Sequence, residues 1–307
     1  MKEGALVLVD CLGFRGIWNR VDPETLISNL QSIEKRAASL VMPKYSRSML
    51  SFGHVRFHLR FLSDTVALSI QYEADAYENG AQPNERQKDL LVAIACDSAG
   101  VLANLFIDSE TPLPLRGCIS FGRHLCESNF LVGPAVDQAA EYMNEPDGAF
   151  IWVLPRAVGR YKNSVEQSLK LIDQPKETLL AGLAIAAHQG VDESAKLFDH
   201  PDAGSDIFID SLRMVFAKVL ARPTIIEPYP MPIKSGGTVD AGIINPFISA
   251  EDDKARKRII VRYEEFLQGD RIDIWKKRQN TLKFLAVAEK AEAGFRATLG
   301  SPHHLRP

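Results

Sequence analysis

The stretch LVLVDCLGFRG, residues 6–16, decides the reading of this chain. Ala5 to Val9 is an unbroken apolar run, the pattern of a strand buried on both faces. It ends at Asp10, so an acid sits at the strand's C-terminal tip, and Gly13 follows. A carboxylate placed there suits a hard cation, because Mg²⁺ takes one or two carboxylates plus phosphate oxygens. The Cys11 carbonyl would add an oxygen ligand. The amides of Leu12, Gly13 and Phe14 would face phosphate oxygens, since glycine lets backbone approach closely. The plainer alternative is a turn aspartate that caps the next segment.

Downstream, Asp22-Pro23-Glu24-Thr25 reads as a helix start, with Asp22 as N-cap and Pro23 at the first helical position. Leu26, Ile27, Leu30, Ile33 and Ala37 recur at helical spacing, so a helix is predicted over 22–41. VRFHLRFL and TVALSI flank Ser63-Asp64 and predict a hairpin over 55–70. A long helix follows over 86–108, then a short strand in LRGCISFG and a second in NFLV. Residues 133–144 read as a helix with Val136, Ala139, Ala140 and Met143 inward. FIWVL, 150–154, is a further buried strand. Residues 155–204 read as short helices and loops, and 207–221 as a helix. The prolines of TIIEPYPMPIK, 224–234, restrict that segment to an edge strand or bends. AGIINPF, 241–247, closes the sheet. From Glu251 the chain is charged and helical to Leu299, and SPHHLRP frays.

This order predicts an α/β protein, an α+β sandwich whose mostly antiparallel sheet is covered by helices. Regular βαβ alternation, G-x-G-x-x-G and G-x-x-x-x-G-K-[ST] are all missing, which argues against dinucleotide-binding and P-loop folds. The net charge of −3 gives no basic surface for nucleic acid. The four cysteines, Cys11, Cys96, Cys118 and Cys126, show no C-x-x-C spacing, so zinc is not expected and buried thiols are. The N-terminal apolar run is too short for a signal peptide, and no later apolar run reaches the roughly twenty residues of a membrane span. A cytoplasmic, membrane-free protein is the expectation.

Asp64 strengthens the case for Asp10. Two carboxylates at the ends of neighbouring strands can hold two cations about 4 Å apart, one at an attacking hydroxyl and one at a leaving phosphate. Either aspartate alone reads as a turn residue. On the 133–144 helix, Asp137 and Glu141 share a face, which is either solvated or turned to the cleft.

These segments, in this order, resemble the signature blocks of the class III nucleotidyl (adenylate and guanylate) cyclases. VDCLGF is similar to the family's strand ending in D-[IV]-x-G-F. FLSDTVAL is similar to its hairpin with the second metal aspartate, with Ser63 where the family usually has glycine. VGPAVDQAAEYMNE is similar to its G-x-x-V-N-x-A-A-R helix, and PMPIKSGG, 230–237, to its later L-K-G turn. The resemblance spans about residues 5–248. It implies the ferredoxin-like cyclase fold over 1–248, followed by a charged helical C-terminal extension over 249–307. It implies Asp10, Asp64 and the Cys11 carbonyl as ligands of two Mn²⁺ or Mg²⁺ ions. The substrate would be a nucleoside triphosphate, and a head-to-tail homodimer would carry the active sites at its interface.

Three departures refine the expectation. By the family's counting, the base-reading positions are Arg60 and Phe130, and a phenylalanine cannot hydrogen-bond an adenine amine. Asp137 and Glu141 stand where the family has the Asn and Arg of the transition state. A substitute cation is therefore sought among Arg15, Arg60, Arg116, Arg123 and Lys234, with Arg60 and Lys234 preferred. The stand-alone architecture resembles the pyrimidine cyclases of bacterial anti-phage (Pycsar) systems. That implies UTP ahead of CTP as substrate and a cyclic product that acts on a separate effector. The alternatives are a cyclase-like module without activity and an ordinary adenylate or guanylate cyclase.

Overall fold

In the computed structural model the chain is described for residues 1–46, 55–72, 83–127, 130–172, 174–175, 222–248, 250, 252–266 and 272–298. It opens with strand β1 (Lys2–Cys11), a short 3₁₀ turn (Ile17–Asn19) and helix α1 (Pro23–Ser46). The hairpin β2 (Val55–Leu62) and β3 (Thr65–Tyr72) follows, then α2 (Glu85–Ile107) and β4 (Leu115–Glu127). The strands stand in the order β2-β3-β1-β4, all antiparallel, which is the ferredoxin-like βαββαβ arrangement.

The sheet continues beyond β4. Strand β6 (Ile151–Val153) adds in parallel, and β8 (Thr238–Ile244) and β7 (Ile225–Pro232) complete the order β2-β3-β1-β4-β6-β8-β7. The short β5 (Phe130–Val132) pairs with the far end of β4. Helix α3 (Pro134–Tyr142) lies between β5 and β6, and α4 (Pro155–Ile172) follows β6. Two helices end the described chain, α5 (Asp253–Phe266) and α6 (Ile272–Thr298).

Local sequence explains the main boundaries. The Thr25 amide donates to Asp22 Oδ2 at 3.0 Å, capping α1 as its sequence predicts. Helix α2 begins with a capping box between Asn84 and Gln87. It is long and apolar enough to cross a membrane by composition, a feature that Asp97 obscures in the sequence, yet most of that window is buried inside the protein. The LRGCISFG strand is longer than expected, thirteen residues, and its Gly117 is forced: an added Cβ would lie 2.1 Å from the Leu8 carbonyl oxygen.

Helices cover both faces. The face carrying Ala5, Val7 and Val9 packs on α1, α2 and α4 through Leu26, Ile33, Leu91, Ala95, Leu102, Phe106 and Ala157. The opposite face, with Leu6, Leu8 and Cys118, packs on Ala139 of α3, on Met143 just past its end and, further along, on α5 and α6. Ala140 was expected inward but is exposed; Ala135 is buried instead, its carbonyl accepting from Ser120. Over 155–172 one helix replaces the expected short pieces, while the helix expected over 207–221 and the tail lie outside the described residues.

Candidate functional site

Asp10 is the penultimate residue of β1, opposite Thr65 on β3 and Arg116 on β4. Asp64 occupies the β2–β3 turn one residue before Thr65, and its carbonyl accepts the Cys11 amide at 2.8 Å. Antiparallel register thus sets the two aspartates side by side, as the hairpin reading required. The turn is tight: Ser63 has φ +60°, the left-handed region that favours glycine.

Burial pushes the Cys11 thiol above its ordinary range, and the Asp10 and Asp64 charges add to that. The neutral thiol points into the core, so only the Cys11 carbonyl is a candidate ligand. Among the described residues no group of three or more His, Cys, Asp or Glu side chains is placed to hold a metal. Two carboxylates and one carbonyl nevertheless fit hard cations whose remaining positions are filled by phosphate and water.

The turn after β1 is less open to phosphate than its sequence suggests. The Leu12 amide donates to the Pro114 carbonyl at 2.8 Å and the Phe14 amide to that of Cys11 at 3.4 Å. Gly13, with φ +71°, is exposed, and its amide has no partner among the described residues. Its carbonyl accepts from Arg20 at 3.0 Å.

Arg116 dominates the site electrostatically. Its Nε donates to Asp10 Oδ1 at 3.1 Å and one Nη to Oδ2 at 2.6 Å, and that Nη also donates to Asn144 Oδ1 at 2.6 Å. The side chains of Arg116 and Asp10 are only 8% and 18% exposed, so the fork is largely shielded from water. Lys234, in the turn after β7, joins this cluster. Partial burial pushes its ammonium below the ordinary lysine range; the nearby Arg116 and Lys277 push the same way, against Asp10 and Glu145. Arg116 was among the candidate cations but not preferred, although register alone pairs it with Asp10. Asn144 and Lys277 carried no local sequence signal.

The remaining candidates lie elsewhere. Arg60 sits on β2, two strands from Asp10, and donates to its own strand's Leu59 carbonyl at 2.9 Å. Its charge is felt by Cys126 at the far end of β4. Phe130 pairs with Glu127 there and is 72% exposed. That end, Glu127, is eleven positions along β4 from Arg116, about 35 Å of extended strand. Arg15 and Arg123 are exposed, and Asp137 and Glu141 lie on the exposed side of α3. Phe130 thus lies far from the Asp10–Lys234 cluster within one chain, whereas Arg60, opposite Ala67 and so level with Leu8, stands two strands across and two residues back from Asp10.

No protein-family model matches the chain. No curated protein sequence matches it. Several solved structures are similar at low identity. One is the guanylyl cyclase domain, described as a non-canonical dimer, of the RhoGC fusion protein from the aquatic fungus Blastocladiella emersonii: 15% identity, TM-score 0.38, 53% of this chain and 84% of that one. Another is the guanylate cyclase domain of RhGC from Catenaria anguillulae in complex with GTP, at 13% identity and TM-score 0.37, over 52% of this chain and 82% of that one. A third is the catalytic core of a rhodopsin-guanylyl cyclase with converted specificity in complex with ATPalphaS, at 13% identity and TM-score 0.38 over the same shares. These likenesses are too distant to bear on the site's chemistry.

Proposed function

We propose that this chain is a nucleotidyl cyclase that converts a nucleoside triphosphate to its 3′,5′-cyclic monophosphate and pyrophosphate. The observation that carries the reading is the placement of Asp10 and Asp64 at adjoining strand ends, with Arg116 and Lys234 gathered beside Asp10. The 3′-hydroxyl gives up its proton to solvent as its oxygen bonds to the α-phosphorus, the bond from that phosphorus to the bridging oxygen breaks, and pyrophosphate leaves with the electron pair. Divalent cations held by Asp10, Asp64 and the Cys11 carbonyl would supply charge neutralisation at the α-phosphate and acidify the 3′-hydroxyl. Arg116 holds Asp10 in position and is aimed to exchange that carboxylate for phosphate oxygens. Lys234 offers a second cation for the polyphosphate, and the Gly13 amide a neutral donor.

Arg60 and Phe130 complete the site from a second copy of the chain, turned head to tail. The distance of Phe130 from the Asp10 cluster along β4 supports this arrangement. Mixing Asp64→Ala with Arg60→Ala protein tests it: two inactive preparations regain activity together if each supplies the half the other lacks, and stay inactive if one chain holds the whole site.

Within this class we read the substrate as a pyrimidine, UTP ahead of CTP. The catalytic unit is taken as residues 1–248, and 249–307 as its extension. Phe130 removes the polar partner a purine would use, and Arg60 offers donors to a pyrimidine carbonyl. By resemblance, the product would be an anti-phage second messenger read by a separate effector in the cytoplasm. Purified protein incubated with Mn²⁺ and each of ATP, GTP, CTP and UTP, with products resolved by mass, decides among these outcomes. Cyclic UMP or cyclic CMP supports the pyrimidine reading. A cyclic purine leaves an ordinary cyclase.

A second reading, a nucleotide-binding module without turnover, is favoured by one observation: Arg116 occupies the Asp10 carboxylate in bidentate fashion. Binding of a triphosphate with no product from any of the four would select it.

A further inference from the structure

The C-terminal helices touch the site from two sides. Phe266, the last residue of α5, lies against the turn after β1: a Cβ added at Gly13 would meet its ring at 2.7 Å. The Arg20 guanidinium, which donates to the Gly13 carbonyl, stands 5.4 Å from the centre of the same ring. At the other side, the first turns of α6 are bolted to the segment before β6. Asn280 donates to the Asp147 carbonyl at 2.7 Å, Thr281 Oγ1 accepts the Ala149 amide at 2.9 Å, and Lys276 pairs with Asp147 at 3.0 Å.

That segment in turn holds the Lys234 turn. The Asp147 amide donates to the Pro232 carbonyl at 2.9 Å, and the Lys234 amide to the Glu145 carbonyl at 3.0 Å. A continuous set of hydrogen bonds therefore fixes α6 relative to Lys234. Lys277 lies three and four residues before Asn280 and Thr281, on the same side of the helix. It is half-buried and close enough to Lys234 to repel its ammonium. Among the described residues neither Lys234 nor Lys277 forms an ion pair within 4 Å, whereas Arg116 is paired with Asp10, so two ammonium groups lie near one another with no carboxylate bound to either. A polyanion removes that repulsion.

We propose that the C-terminal extension is part of the polyphosphate site, and that Lys277 is a further binding residue for the triphosphate tail. This rests on the reading of the Asp10 site as a triphosphate site. It gives the extension a direct part in substrate capture, through one side chain, and a supporting part through Phe266 beneath Gly13.

The test is calorimetric titration of the full chain with inorganic tripolyphosphate and Mg²⁺. Lys277→Ala is expected to weaken binding about tenfold, Lys277→Arg to restore most of it, and Lys283→Ala, an exposed site on the same helix, to leave it unchanged. Thermal melts of Lys277→Ala and the parent chain are expected to coincide, because the side chain is only half-buried. If the parent binds and Lys277→Ala binds equally well, the inference is overturned while the site reading stands. If the parent binds neither tripolyphosphate nor any nucleoside triphosphate, both are overturned.

Discussion

One face of the sheet is finished in two different ways. Across β6, β8 and β7 it is sealed by α6, where Phe284 stacks edge-on against Phe150 and Tyr229 with ring centres 5.5 and 4.9 Å away. Across β2 the same face is left partly open: Arg56 and Leu62 are exposed, and His58 and Arg60 are half-buried. Asp10 lies between the two halves. The sealed half brings Lys234 to the Asp10 carboxylate. The open half carries Arg60, two strands across from Asp10. A buried side chain at the seal, such as Phe284, is therefore expected to govern stability, and an exposed one at the open end, such as Phe130, to govern function.

The largest effect should fall on the boundary. Asp64→Ala is expected to lower cyclase activity by at least about a thousandfold, some 4 kcal/mol of barrier, while the melting curve stays in place. Asp10→Ala should lose activity equally and also cost about 2 kcal/mol of stability, because shielded Arg116 loses its partner. Equal stability losses for the two variants would remove the distinction between them. In the sealed half, Phe284→Ala should cost about 4 kcal/mol in urea unfolding, the range for a buried aromatic. In the open half, Phe130→Ala should change stability by no more than about 0.5 kcal/mol and alter substrate choice instead. A large loss of stability at Phe130 would break the comparison.

A smaller effect lies where β4 crosses the open half. His124 is fully buried, with Nε2 2.8 Å from Ser69 Oγ and Nδ1 3.1 Å from the Gly122 carbonyl. Burial lowers its pKa, and nearby His58 and the N-terminal ammonium push the same way. The unfolded chain therefore takes up the proton first. The stability held by neutral His124 is complete above the ordinary imidazole range, about 6.5, and is lost as pH falls below it. Urea unfolding from pH 7 to pH 5 should show that loss in the parent chain and a flatter profile in His124→Gln. The smallest effect is at the turn: Ser63→Gly should add about 0.5–1 kcal/mol by relieving the left-handed backbone.

The fold was legible wherever periodicity was local. β1, the 55–72 hairpin, α2 and the β4 strand follow from apolar runs and turn residues; their order led to a mostly antiparallel sandwich, and the family resemblance to the ferredoxin-like arrangement. Asp10 and Asp64 were legible as a pair because antiparallel register converts strand ends into neighbours. The phosphate turn was only partly legible: the bonds from Leu12 to Pro114 and from Phe14 to Cys11 depend on chain meeting chain in three dimensions. Arg116 was under-weighted for the same reason, since its partner is 106 residues away. Lys277 is one of many charges on a helix that shows no clear apolar stripe in sequence, and only its docking through Asn280 and Thr281 gives it a direction.

The prolines of β7 have a consequence for how this protein can go wrong. Among the described strands β7 and β2 are the two rims of the sheet. Pro228, Pro230 and Pro232 strip amide hydrogens from the β7 rim, so it offers a poor template to a foreign strand. The β2 rim has no proline in VRFHLRFL and keeps every donor. Of these two rims it is therefore β7, the one that runs into the Lys234 turn, that is built to refuse a foreign strand.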